Sequence, residues 1–335
     1  MNAHQSEPYQ PYLFPELQPL LPAAITVATG PISLPVEREF TFWRVLVHLT
    51  LFLATAVTTT LAGMIFPLIG LLEEPDGIAL LARYMLSSPV PLINGIAFSF
   101  TLLIILGAHE LGHYFACRYY KVKASLPYFI PFLPGIGIGT LGAFIRIRSA
   151  IRSRRALFDI GIAGPLAGFI FAVPASLIGL LFAQIKTTEA TIDFNAPLLF
   201  TLINKAFSLP PFDAMQWNPI WFAAWVGLLA TGLNLIPVGQ LDGGHIVYSI
   251  FGHRAHRLIA LLTFSAAIVI AFFGYWRYNW AGGFIYVALL TVMMFVRHPS
   301  LPDAAEPLGR GRQILALIAL LVFIVSFMPV PVSIS

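Results

Sequence analysis

His109-Glu110-Leu111-Gly112-His113 forms an H-E-x-x-H run at the end of the apolar stretch SFTLLIILGA, residues 99–108. On a helix, residues four apart share a face. Both imidazoles can then reach one metal ion while Glu110 lies one step round. This is the two-histidine zinc pattern with a glutamate as general base. The plainer reading is a histidine pair that bonds backbone or lines a water-filled cavity. A glutamate is expensive in hydrocarbon, however, and an acid inside a membrane segment defaults to a functional role.

A tetrahedral catalytic zinc takes three protein ligands and keeps one open position. The run NLIPVGQLDGGH, residues 234–245, offers a third ligand at the end of another apolar stretch. Glu110, Asp159 and Asp242 are the main acids in or beside such stretches. Asp159 sits among arginines and reads as an interfacial ion-pair partner. Asp242 is the favoured ligand, because a carboxylate completes a two-histidine set and would otherwise be unpaired. His245, three residues on, is the competing ligand, or else a residue that orients one. The single cysteine, Cys117, excludes a disulfide framework or a thiolate cage within one chain and reads as packing.

The elements that carry these groups are membrane spans. Of the 335 residues, 58% are hydrophobic and 10% charged, against about 25% charged in soluble domains. Apolar stretches near the ~20 residues that cross a bilayer fall at 45–71, 92–117, 156–185, 219–245, 258–275, 279–297 and 313–331. The expected fold is an all-α, multi-pass integral membrane protein with about seven transmembrane helices. With the N-terminus inside, the inner segments hold fifteen of the nineteen Lys and Arg residues and the outer segments four, as the positive-inside rule requires. The H-E-x-x-H span and the Asp242 span then both run from outside to inside, so their motifs meet near the inner face. The basic balance is membrane topology rather than nucleic-acid affinity.

Three stretches stand apart. Residues 1–40 are Pro-rich, carry both Glu and Arg, and lack an uninterrupted apolar core, so they read as a loosely ordered cytosolic arm rather than a signal or transit peptide. Residues 124–148, ASLPYFIPFLPGIGIGTLGAFIRIR, are broken by Pro and Gly and end in strand-like alternation. Unpaired backbone in lipid costs several kcal/mol per group, so this piece is expected to dip in beside protein or fold back as a hairpin. GIAGPLAG, residues 161–168, carries a Gly164-x-x-x-Gly168 spacing that marks close helix packing. His48, His253, His256 and His298 read as interfacial or solvated.

HELGH at 109–113, GIAGPLAG at 161–168 and NLIPVGQLDGGH at 234–245 together resemble the site-2 protease family of intramembrane zinc metalloproteases, over roughly 92–250. The resemblance implies His109, His113 and Asp242 as ligands of one Zn2+ per chain and Glu110 as general base. It implies that Asn234 helps hold the substrate carbonyl or its oxyanion, and that 135–145 belongs to a membrane-dipping hairpin that offers a strand edge to unwound substrate. The segment 186–218 is too short for a PDZ domain, so the chain resembles the PDZ-less branch. Many relatives have Asn where Gly168 stands. The implied substrates are single-span membrane proteins in a lipid bilayer, and the implied location is a prokaryotic cytoplasmic membrane with the active site near the cytoplasmic face. The chain divides into the arm (1–40), an accessory span and outer loop (41–91), a catalytic membrane core (92–250) and accessory C-terminal spans (251–335). A transporter or ion pathway, or an inactive helix-binding scaffold, is the alternative use of the same His/Glu/Asp cluster.

Overall fold

Long runs of Leu, Ile, Val, Ala and Phe leave little for the backbone to do in an apolar solvent except bond to itself. The computed structural model describes residues 42–68, 76–186, 192–296 and 307–334; the expected N-terminal arm lies outside them. Among the described residues the helices are α1 (Phe42–Ile65), α2 (Gly77–Ser87), α3 (Val90–Tyr119), α4 (Arg154–Leu181), α5 (Leu198–Ala206), α6 (Pro219–Asn234), α7 (Asp242–Tyr278), α8 (Gly282–Phe295) and α9 (Arg310–Ser326). Four are long and apolar enough to cross a membrane: α1, α3, α4 and α7. The windows at 219–245, 279–297 and 313–331 yield the shorter α6, α8 and α9, of 16, 14 and 17 residues.

The 219–245 window is not one helix. Pro237 has no N–H and disfavours helical backbone at Ile236. Gly239 turns the chain with a φ of +55°. The helix therefore ends at Asn234, and Asp242 opens α7 instead of closing the preceding span. α7 is itself broken at Gly252, whose φ of 77° lies outside the helical range.

Two small antiparallel sheets accompany the helices, of which the second was not expected. β1 (Tyr128–Pro134) and β2 (Ile138–Phe144) form the hairpin anticipated within 124–148, in the register Tyr128↔Phe144 and Phe129↔Ala143. Pro131 and Pro134 cannot donate to the ladder, and the register shifts on either side of Pro131. Pairing resumes at the base, where Ser125 N–H donates to Arg146 O at 3.0 Å and Arg148 N–H to Lys123 O at 2.7 Å. The second sheet joins β3 (Ile192–Phe194) to β4 (Val332–Ile334); three-residue strands are too short to leave an alternation signal. Between α4 and α6 the described residues hold β3, α5 and one 3-10 turn at Phe212–Ala214.

The core lies where α3, α4 and α6 pack. Phe98 and Leu102, Ala172 and Leu180, and Phe222 and Leu228 form one buried cluster. Phe222 stacks on Phe98 at 5.5 Å and on Trp225 at 6.0 Å. α1 leans on the hairpin: Thr58 Oγ1 donates to Gly139 O at 2.6 Å, and a Cβ at Gly139 would sit 2.4 Å from Thr58 O. Large apolar side chains such as Trp276 and Phe295 point outward, more than 80% exposed, as a lipid-facing surface permits.

Candidate metal centre

α3 carries His109, Glu110 and His113, all buried. They are buried because α4 crosses α3 on a face stripped of side chains. A Cβ at Gly112 would lie 2.4 Å from Ala163 O, one at Gly164 2.1 Å from His113 Nε2, and one at Gly168 3.2 Å from His109 Cβ. The small-residue spacing of GIAGPLAG does mark close packing, and what it admits is the two imidazoles.

The loop 235–241 brings the third group in. Its return onto α7 needs Gly243 and Gly244, where a Cβ would meet Leu235 O at 1.9 Å and Gly239 O at 2.3 Å. Asp242 thus sits in the first turn of α7, where the helix dipole favours a negative charge.

The three groups converge. His109 Nε2 and His113 Nε2 lie 3.1 Å apart, and Asp242 Oδ2 lies 3.2 Å from the first and 3.3 Å from the second. Tetrahedral zinc with bonds of about 2.0–2.1 Å separates its ligand atoms by about 3.3–3.4 Å, so the triangle fits one such ion. Its tautomers fit as well. His113 Nδ1 lies 2.7 Å from Ile160 O. A carbonyl can only accept, so Nδ1 carries a proton, and in the neutral imidazole the Nε2 lone pair then faces the triangle, as in metal-ligating histidines oriented by a backbone carbonyl.

Around the triangle is a cavity of about 460 Å³ whose lining includes Glu110, Ile145, Asn234, Gln240 and His245. Glu110 and Ile145, the residue just past β2, both line it. Asn234, the last residue of α6, places Nδ2 3.3 Å from His109 Nε2. His245 lines the cavity but is not part of the metal-capable group formed by the described residues, which is His109, His113 and Asp242. Its Cβ instead packs over Gly161.

The remaining expectations divide. Cys117 is buried with Val122 and Ile160 as packing. His48 Nδ1 lies 3.1 Å from Pro127 O, tying α1 to the hairpin. His256 is buried rather than solvated. His298 lies outside the described residues. Asp159 pairs with Arg312 of α9, at 2.6 Å. Sequence reasoning missed that partner and the Ile160 carbonyl, since neither carries a local signal.

A model of peptidase family M50 matches residues 97–275, a stretch that contains both motifs. The chain is 30% identical over 311 residues to the probable zinc metalloprotease EGY1, chloroplastic, of Arabidopsis thaliana, covering 87% of this chain and 54% of that protein. It is 36% identical over 184 residues to EGY2, a probable chloroplastic zinc metalloprotease of the same plant, covering 52% and 33%. The chain thus spans about half the length, or less, of these curated relatives. A solved site-2 protease from Methanocaldococcus jannaschii aligns at 18% identity and a TM-score of 0.37, over 70% of this chain and 91% of that one.

Proposed function

The chain belongs to peptidase family M50, and on that premise we propose that it is an intramembrane zinc endopeptidase that cuts single-span membrane proteins in or near their membrane helix. The observation that carries this reading is the His109–His113–Asp242 triangle beside a buried Glu110, on helices apolar enough to cross a bilayer.

His109, His113 and Asp242 would hold the ion. When bound, zinc supplies Lewis acidity to the scissile carbonyl and to the attacking water. Glu110 takes the water's proton on its carboxylate and returns it to the leaving amine. Asn234 Nδ2, at the rim of the triangle, donates a hydrogen bond to the developing oxyanion. The cavity admits water to groups that lie within the bilayer.

A substrate helix hides its carbonyls in its own hydrogen bonds, so it must unwind before it is cut. The outer edge of β2 and the residues that follow, 143–147, line the cavity and offer backbone partners to the extended chain by strand addition. Helix-breaking Gly, Pro or Asn near the scissile bond favours cleavage.

The catalytic core is 92–250, flanked by accessory spans. Seven crossings follow if the shorter helices also span. α6, α8 and α9 cover about 24, 21 and 26 Å at 1.5 Å per residue, against a hydrocarbon core of ~30 Å. Local thinning and the adjoining apolar residues make up the difference. The charge bias orients the chain with its N-terminus and active site toward the inner face. The named relatives are chloroplastic; for this chain we infer a prokaryotic cytoplasmic membrane.

Membrane proteomics of cells carrying wild type or Glu110→Gln tests the reading. Intact single-span proteins accumulate in the variant if it holds, and matched membrane proteomes overturn it.

A further inference from the structure

Arg312 lies in the first turn of α9, beyond residue 275 where the family match ends. Its guanidinium makes four hydrogen bonds. Nε donates to Asp159 Oδ1 at 2.8 Å, Nη2 to Asp159 Oδ2 at 2.6 Å and to the Tyr120 hydroxyl at 3.0 Å, and Nη1 to Leu308 O at 3.3 Å. The Tyr120 hydroxyl in turn donates to Asp159 Oδ2. Burial and the Asp159 carboxylate raise the Tyr120 phenol above its ordinary pKa, so it keeps the proton that this bond requires.

The position of the clamp gives it a consequence. Asp159 is joined by one peptide bond to Ile160, whose carbonyl receives His113 Nδ1–H at 2.7 Å. Tyr120 lies two helical turns beyond His113 on the α3 side. The guanidinium therefore ties the end of α3 to the start of α4, and the bond it brackets is the one that aims His113 Nε2. Planar, bidentate pairing fixes direction as well as distance.

Resting on the metal-site reading above, we propose that Arg312 is a positioning residue for the metal centre: through Asp159 and the Ile160 carbonyl it sets the orientation of His113. A merely structural staple would hold α9 in place and nothing more. α9 has independent means of staying docked, because Ala319 and Val322 pack with Phe158 and Ile162 in a buried cluster. Cutting the clamp should thus leave α9 in place and loosen the ligand. Arg155 is a natural control, since its Nε also ties α4 to the chain before α9, through Pro307 O at 3.1 Å, a bond in which Asp159 takes no part.

The test is metal affinity of the full chain in detergent micelles, stripped of metal and titrated with Zn2+ against a competing chelator, with Co2+ absorption reporting ligand geometry. Loss of an outer partner of a ligand costs about 10-fold or more in metal affinity. Arg312→Ala and Asp159→Asn should each weaken Kd by about that factor, and the double variant by no more than either alone. Arg312→Lys keeps the charge without the fork and should fall between Arg312→Ala and wild type, with a shifted Co2+ spectrum. Arg155→Ala should match wild type. Arg312→Lys and Asp159→Asn carry the test should Arg312→Ala fail to fold. A wild-type Kd in the folded clamp variants, or equal weakening in Arg155→Ala, overturns the proposal. A wild-type chain that binds no metal overturns the site reading and the clamp together.

Discussion

The imidazole of His113 lies against bare backbone at Gly164, so closely that a Cβ there would sit 2.1 Å from His113 Nε2. The geometry of the proposed metal site thus depends on an atom that the sequence omits. Gly164→Ala adds intrinsic helix propensity of about 1 kcal/mol, yet its methyl would displace the ligand. We expect metal binding to fall at least ~10-fold, with the helical circular-dichroism signal retained. Gly168→Ala, at 3.2 Å from His109 Cβ, should cost less, and Gly107→Ala, at 3.7 Å from the Phe129 ring, should change nothing. Zinc content of the three purified variants checks this order.

The hairpin edge makes a separate prediction. Backbone N–H groups alternate in direction along a strand. Arg146 N–H turns toward the partner strand, donating to Ser125 Oγ, so by this alternation the N–H of Ala143, three residues back, points to the open edge. Ala143→Pro removes that donor while leaving Ile145 intact. Cleavage should be lost and stoichiometric zinc kept. Cleavage at the wild-type rate would remove strand addition from the account.

Asn234→Ala probes the oxyanion role. Loss of one such donor lowers kcat by about 100- to 1,000-fold, and zinc content should not change. A variant that loses zinc in step with activity would make Asn234 a support for His109, 3.3 Å away, rather than a catalytic donor.

What the sequence made legible follows the range of each interaction. His109 and His113 are one helical turn apart, and the H-E-x-x-H run gave their meeting point without any structure. Asp242 was legible as a partner by its run and topology, but its element was not. Hydropathy sums over 219–245 without weighing Pro237 and Gly239, which end α6 and make Asp242 a helix start. The same blindness ranks seven windows alike, although the helices found in them are four long and three shorter. Gly164 was readable as packing, though not as packing against a ligand. Arg312 is 153 positions from Asp159, and nothing near either residue names the other.

The most direct measurement pairs zinc content with proteolysis in Glu110→Gln. The side chain keeps its size, and the triangle of His109, His113 and Asp242 is untouched. The account predicts one zinc per chain in both wild type and variant, with cleavage of a single-span membrane substrate reduced about 100- to 10,000-fold in the variant. A folded wild-type chain without zinc, or a Glu110→Gln variant that cuts at the wild-type rate, would contradict it.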